Sequence, residues 1–137
     1  MPIINKAFES LEPKFKPIVL EILKRLEALG YKPIVAEGRR TLAQQREKVK
    51  LGYSQTMNSY HLTGMAADIV DKRYNWDIPL SHPYWKAQGE IVLDLAKTNK
   101  GLYWGGVWKV GLMQRFVDYL KGKTKYFVDC AHVELRL

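Results

Sequence analysis

Ser59-Tyr60-His61-Leu62-Thr63-Gly64-Met65-Ala66-Ala67-Asp68, together with Asp129-Cys130-Ala131-His132-Val133-Glu134 further on, constrains this chain more than any other part of it. The two stretches offer two imidazoles and a carboxylate to a metal ion, and a second carboxylate just before His132. A catalytic zinc site takes three nitrogen or oxygen ligands from the protein and leaves a fourth position to water. A neighbouring carboxylate can then take that water's proton. His61 and Asp68 lie too far apart along the chain to share an ion directly. A straight strand would separate them by about 23 Å and a helix by about 10 Å. The chain must turn between them, and Gly64 has the backbone freedom to do it.

Working outward, Ala66 to Val70 reads as a buried strand carrying Asp68 among small and apolar neighbours. His132 would come from an adjacent strand. Asp129 precedes it by an odd separation, so the stretch must bulge or turn for both side chains to reach one site. Glu134 shares the strand face of His132 and is placed to orient it. The same residues also fit a plainer account: a surface His61, a capping Asp68, a half-buried His132 and Asp129 as a turn residue. Cys130 reads as a small buried residue rather than a ligand. His82, between Ser81 and Pro83, reads as structural or exposed.

Apolar residues at Phe15, Ile18, Val19, Ile22, Leu23, Leu26 and Leu29 give one helical face, stopped at Gly30. Lys32 to Glu37 reads as a strand, and Thr41 as the N-cap of a helix over 42–51. Gly52 to Thr63 reads as a loop, and Pro83 to about Lys97 as a third long helix. Leu102 to Gly105 enters a strand, Gly111 to Tyr119 is ambiguous between loop and short helix, and Lys121 to Lys125 is a solvated basic turn. Phe127 to Asp129 and His132 to Leu135 read as extended. This pattern implies an α+β fold, a small antiparallel sheet with helices packed against it.

The chain of 137 residues reads as a single domain spanning 1–137, with 47% hydrophobic residues, enough for a core. Its one cysteine allows no internal disulfide. No signal peptide or membrane span is evident, so the expected origin is cytoplasmic, with no stable membrane insertion. The net charge of +8 favours an anionic partner or surface. Scattered lysines without an aromatic-basic platform argue against nucleic acid. Gly38-Arg39-Arg40-Thr41 offers a cation between strand and helix. Trp104-Gly105-Gly106-Val107-Trp108 is either a structural corner with core tryptophans or a cleft wall for substrate.

Ser59-x-His61-x-x-Gly64-x-Ala66-x-Asp68 and His132-Val133-Glu134 resemble the zinc peptidases of the D-Ala-D-Ala carboxypeptidase and L-alanyl-D-glutamate endopeptidase group. Gly38-x-Arg40-Thr41-x-x-Gln44 and Trp104-Gly105-Gly106 match in the same order, and the chain looks most like the phage endolysin branch. The resemblance implies the hedgehog/DD-peptidase-like zinc peptidase fold, with His61, Asp68 and His132 holding Zn2+ and Asp129 as the catalytic carboxylate. It implies that Arg40 polarises the scissile carbonyl and that Ser59 supports the site. Gln44, Trp104 and Trp108 are the expected substrate-binding residues. Val107 departs from the family, standing where relatives often carry an acid.

The implied activity is hydrolysis of the L-Ala–D-Glu bond in the peptidoglycan stem peptide, by a monomer made in the host cytoplasm and released towards the periplasm and cell wall with holin help. The basic surface would hold it on the anionic bacterial envelope. The competing expectations are a D-Ala-D-Ala carboxypeptidase and a non-catalytic envelope-binding protein on the same scaffold.

Overall fold

The computed structural model describes residues 2–108 and 111–137. Its elements run α1 (Lys6–Glu9), α2 (Lys16–Ala28), β1 (Pro33–Glu37), α3 (Leu42–Lys50), a 3-10 turn (Tyr60–Thr63), β2 (Ala66–Asp71), α4 (Pro83–Ala96), β3 (Leu102–Trp104), α5 (Met113–Leu120) and β4 (His132–Leu135). The strands form one antiparallel sheet in the order β1-β2-β4-β3, the α+β architecture expected from the sequence. The helix ends follow their cap chemistry. Thr41 and Gln44 form a reciprocal capping box on α3. His82, which had no assigned partner in the sequence, caps α4 by accepting from the Tyr84 N–H at 3.1 Å.

Register sorts the sheet into two faces. Opposed pairs share a face, so Val35 with Ile69, Ala67 with Val133, Trp104 with Val133 and Leu102 with Leu135 all point one way. That face meets the apolar stripes of α2 and α4, where Val19, Ile22, Leu23, Leu26, Val92 and Leu95 are buried. On the opposite face Asp68 stands across from His132, and Glu134 across from both Ala66 and Tyr103. A bulge between Val35 and Glu37 brings Glu37 opposite Asp68. Without that extra residue Glu37 would point into the core side; with it, the carboxylate joins the polar face.

Two local details differ from the expectations, and one open reading is resolved. The four-residue α1 was not anticipated; it is capped by Asn5, whose Oδ1 accepts from the Phe8 N–H, and it buries Phe8. The ambiguous 111–119 stretch forms α5 around a buried Phe116. Residues 127–129 are not a strand. There the Asp129 N–H donates to the Gly105 carbonyl, and the Asp129 carbonyl accepts from the His132 N–H, so the chain turns into β4. A Cβ on Gly105 would lie 2.0 Å from the Asp129 carbonyl oxygen, so only glycine allows this approach.

The end of β2 carries a buried carboxylate with its own partners. Asp71 accepts from the Lys32 N–H at 3.1 Å, and from the Arg73 N–H, Nε and Nη2 at 3.0, 3.0 and 2.7 Å. The Arg73 bonds outweigh the opposing effect of burial and hold the carboxyl at about 2. The folded state therefore binds this proton more weakly than the unfolded chain does. Its stabilisation is full above about pH 4 and disappears as pH falls towards 2. Because Arg73 is half-exposed, the contribution is about 1–2 kcal/mol. Asp71→Asn is expected to cost that much at pH 7 in urea titrations and to cost little at pH 2; an equal cost at both would contradict the assignment.

Candidate metal centre

The turn predicted between His61 and Asp68 is made as the sequence requires. Ser59 Oγ accepts from the His61 N–H at 3.2 Å and caps the 3-10 turn. Gly64 closes that turn at φ +75°, a left-handed conformation that most side chains avoid. Met65 then donates back to the Tyr60 carbonyl, and the chain enters β2 with Asp68 beneath the turn.

His61, Asp68 and His132 converge, all buried, each with a ligand-type atom within 4.8 Å of the others'. His61 Nε2 lies 3.3 Å and His132 Nδ1 lies 3.4 Å from the same oxygen, Asp68 Oδ1. The far side of each ring is engaged. His61 Nδ1 is 2.7 Å from the Gly38 carbonyl, which can only accept, so that nitrogen carries a proton and Nε2 faces Asp68. His132 Nε2 bonds Glu134 Oε1 at 2.8 Å, which turns Nδ1 inward. The other Glu134 oxygen pairs with Arg136 Nε. Burial opposes the Glu134 charge, but the bonds from His132 and Arg136 keep its carboxyl below the ordinary value. Glu134 thus engages the His132 ring nitrogen that points away from Asp68. Two nitrogens and one oxygen, buried, mutually close and with tautomers set from behind, fit a metal ion.

Burial likewise opposes the charge on Asp68, yet the two imidazoles hold its carboxyl well below the usual range. Its second oxygen accepts from Arg40 Nη2 at 3.2 Å. Arg40 also donates to Glu37 Oε2 at 2.8 Å and Gln45 Oε1 at 2.9 Å, so the guanidinium is fixed between the bulged strand and α3. Asp129 lies to one side, with Oδ2 3.9 Å from His132 Nδ1. Burial, and then the charge of Asp68, push its carboxyl up to about 6 against the pull of His132, His61 and Arg40. A cation bound by the three ligands would lower it again.

The turn bearing Asp129 is held from below. Trp104 Nε1 and Gln88 Nε2 both donate to the Cys130 carbonyl, at 2.7 and 3.2 Å. Cys130 is a buried free thiol, pushed up by burial and far from thiolate chemistry.

Two of the expected substrate-binding residues are elsewhere. Trp104 is fully buried, because its register opposite Val133 turns it to the core face, where it packs on Gly89, Gly106 and Phe116. Gln44 spends its side chain on the α3 cap, its Oε1 accepting from the Thr41 N–H. The adjacent Gln45 is the buried one, joining Arg40 to Ser54 Oγ and the Thr56 carbonyl. Its only sequence signal was two neighbouring glutamines on a polar helix. Trp108 does stand in a groove, with Arg40, Ser59, Tyr60, Asp129 and His132. It donates to the Phe127 carbonyl at 2.7 Å, and its ring centre is 5.4 Å from that of His132.

A buried His-Asp-His set beside a groove, with a further carboxylate next to it, has the donor set of a mononuclear hydrolytic metal site. The sequence model of the phage L-alanyl-D-glutamate peptidases matches residues 4–136, and the chain belongs to that family. It is 35% identical over 96 residues to an L-alanyl-D-glutamate peptidase of Listeria phage A118, an alignment covering 68% of this chain and 32% of that protein. The chain therefore spans about a third of the length of that relative. Among solved structures it resembles the Serratia marcescens L-Ala D-Glu endopeptidase ChiX, with 26% identity, a TM-score of 0.67, and coverage of 96% of this chain and 84% of that one. The LdcB LD-carboxypeptidase shares the fold at 18% identity and a TM-score of 0.52, over 91% of this chain and 58% of that one.

Proposed function

We propose that this chain is a zinc-dependent peptidoglycan endopeptidase that cuts the L-Ala–D-Glu bond of the stem peptide. The observation that carries the reading is the convergence of His61, Asp68 and His132 beside the unligated Asp129. Two imidazole nitrogens and a carboxylate oxygen are a donor set for Zn2+, which when bound supplies a Lewis acid that acidifies water and polarises a carbonyl. Asp129 accepts the proton of the attacking water as its oxygen bonds to the peptide carbonyl carbon. The C–N bond then breaks, and Asp129 returns the proton to the leaving D-Glu nitrogen. Arg40, fixed by Glu37 and Gln45 and lining the groove, puts positive charge where the carbonyl oxygen becomes anionic. Ser59 holds the His61 turn, and Trp108 offers a flat wall to the substrate. Mass spectrometry of purified peptidoglycan, digested with and without chelator, tests the bond assignment. New L-Ala carboxyl ends paired with peptides starting at D-Glu are expected only without chelator; release of single D-Ala would reassign the enzyme as a carboxypeptidase.

Glu134 is the second partner through which the chain sets metal affinity. Glu134→Gln keeps the shape but gives His132 a weaker acceptor and leaves Arg136 without its carboxylate. Zinc affinity, read by competition with a chromophoric chelator, is expected to fall by about 10–100-fold. Unchanged affinity would remove Glu134 from the site.

The chain's charge of +8 suits retention on an anionic envelope, with the protein acting as a monomer on the cell wall after release from the host cytoplasm. Among the described residues no helix is long and apolar enough to cross a membrane. Lysis of permeabilised cells is expected to weaken as salt rises towards 1 M, where screening acts over about 3 Å. Salt-insensitive lysis would argue against electrostatic retention.

A further inference from the structure

The groove has a second arm past Asp129, which shares Tyr53 and Phe127 with the first and adds Trp76. These rings are 68%, 55% and 38% exposed, an unusual concentration of aromatic surface next to a polar site. Trp76 is not on a loose loop. Tyr74 and Asn75 donate to the Asp71 carbonyl, and Asp77 donates to that of Tyr74. Asn75 takes φ +51°, and the Asp71 side chain locks the start of the turn through Arg73.

Two cations and three carboxylates line this arm, and both cations are paired. Arg40 pairs with Glu37 and Asp68, and Lys48 pairs with Glu37 Oε1 at 3.0 Å. A ligand carboxylate would find no free cation there and would face Asp129. The first arm, beyond the shared rings, presents the amide and hydroxyl groups of Ser54, Gln55 and Asn58 and the guanidinium of Arg136. In peptidoglycan the D-Glu side of the scissile bond bears carboxylates. The L-Ala nitrogen is instead tethered through a lactyl group to a neutral N-acetylated amino sugar. Lactyl and L-Ala together span about two residues, roughly 7 Å, so a substrate cut at this bond must bring the sugar close to the metal site. Sugar rings present C–H faces that pack on aromatic faces, while their hydroxyls stay in water.

We propose that the Tyr53–Trp76–Phe127 arm is a glycan subsite that stacks the amino sugar carrying the stem peptide. Its assignment rests on the peptidase reading and adds that the enzyme recognises a glycan-bound peptide over a free one. The test compares kcat/KM on a disaccharide-linked stem peptide with that on the same peptide bearing an N-acetyl group in place of the lactyl sugar. The native protein is expected to favour the sugar-bearing substrate by about tenfold, and Trp76→Ala to bring the ratio close to one. A ratio near one in the native protein, or a ratio unchanged by Trp76→Ala, would overturn the subsite and leave the peptidase reading intact. Cleavage of neither substrate would overturn the peptidase reading. The subsite is then decided by titrating the peptide-free disaccharide against the Trp76 indole N–H signal in NMR spectra. Saturable movement supports stacking, and its absence overturns it.

Discussion

Asp129→Asn is expected to lower kcat by about 10²–10⁴-fold while zinc binds within a few-fold of its native affinity. The substitution keeps the side chain's shape and its place beside His132, but an amide cannot take a proton from water. Asp129 is not among the three converging ligands, so the metal set remains complete. A KM near the native value would accompany the loss, because the groove walls are unchanged. Two results would count against the role: retention of most activity, or loss of zinc in parallel with activity. The second would make Asp129 a ligand in practice. The conservative change matters, since removing the side chain altogether would also empty the space beside His132.

The second large effect concerns Asp68, and it acts on binding and folding together. Its Oδ1 faces both imidazoles and its Oδ2 accepts from Arg40, all inside the protein. Asp68→Ala is expected to weaken zinc binding by more than about 100-fold, since losing a ligand exceeds losing an outer partner. It also strips the buried Arg40 of one of its two carboxylate partners, and a broken buried ion cluster typically destabilises by about 3 kcal/mol. Equilibrium unfolding of the metal-free protein isolates the second effect and calorimetric zinc titration the first. A variant that binds zinc normally would remove Asp68 from the ligand set.

Much of this architecture could be read from residue pattern, and the failures have physical causes. The stripe from Phe15 to Leu29 and the Thr41 cap gave α2 and α3 nearly to the residue, because amphipathic spacing and caps are local signals. The need for a turn at Gly64 followed from the reach of the chain alone. Whether a tryptophan faces core or groove, however, depends on sheet register, and a one-residue offset separates Tyr103 on the polar face from Trp104 in the core. Glu37 was invisible as a site residue for the same reason, since a bulge decides its face. Gln44 and Gln45 are adjacent on a helix with few apolar landmarks. Only the packed structure tells the cap from the buried brace. The short α1 carries too few residues to display any period.

The order of strands in the sheet has a consequence for how the protein comes to be active. β4 lies between β2 and β3, so the pairing that puts His132 opposite Asp68 joins segments separated by roughly sixty residues of chain. Contacts of such long range form slowly. Helices α2 and α4 can each form early from local contacts, when no metal pocket yet exists. Recovery of far-UV dichroism is then expected to run ahead of recovered metal uptake, and the ion's arrival would mark the last strand slotting home.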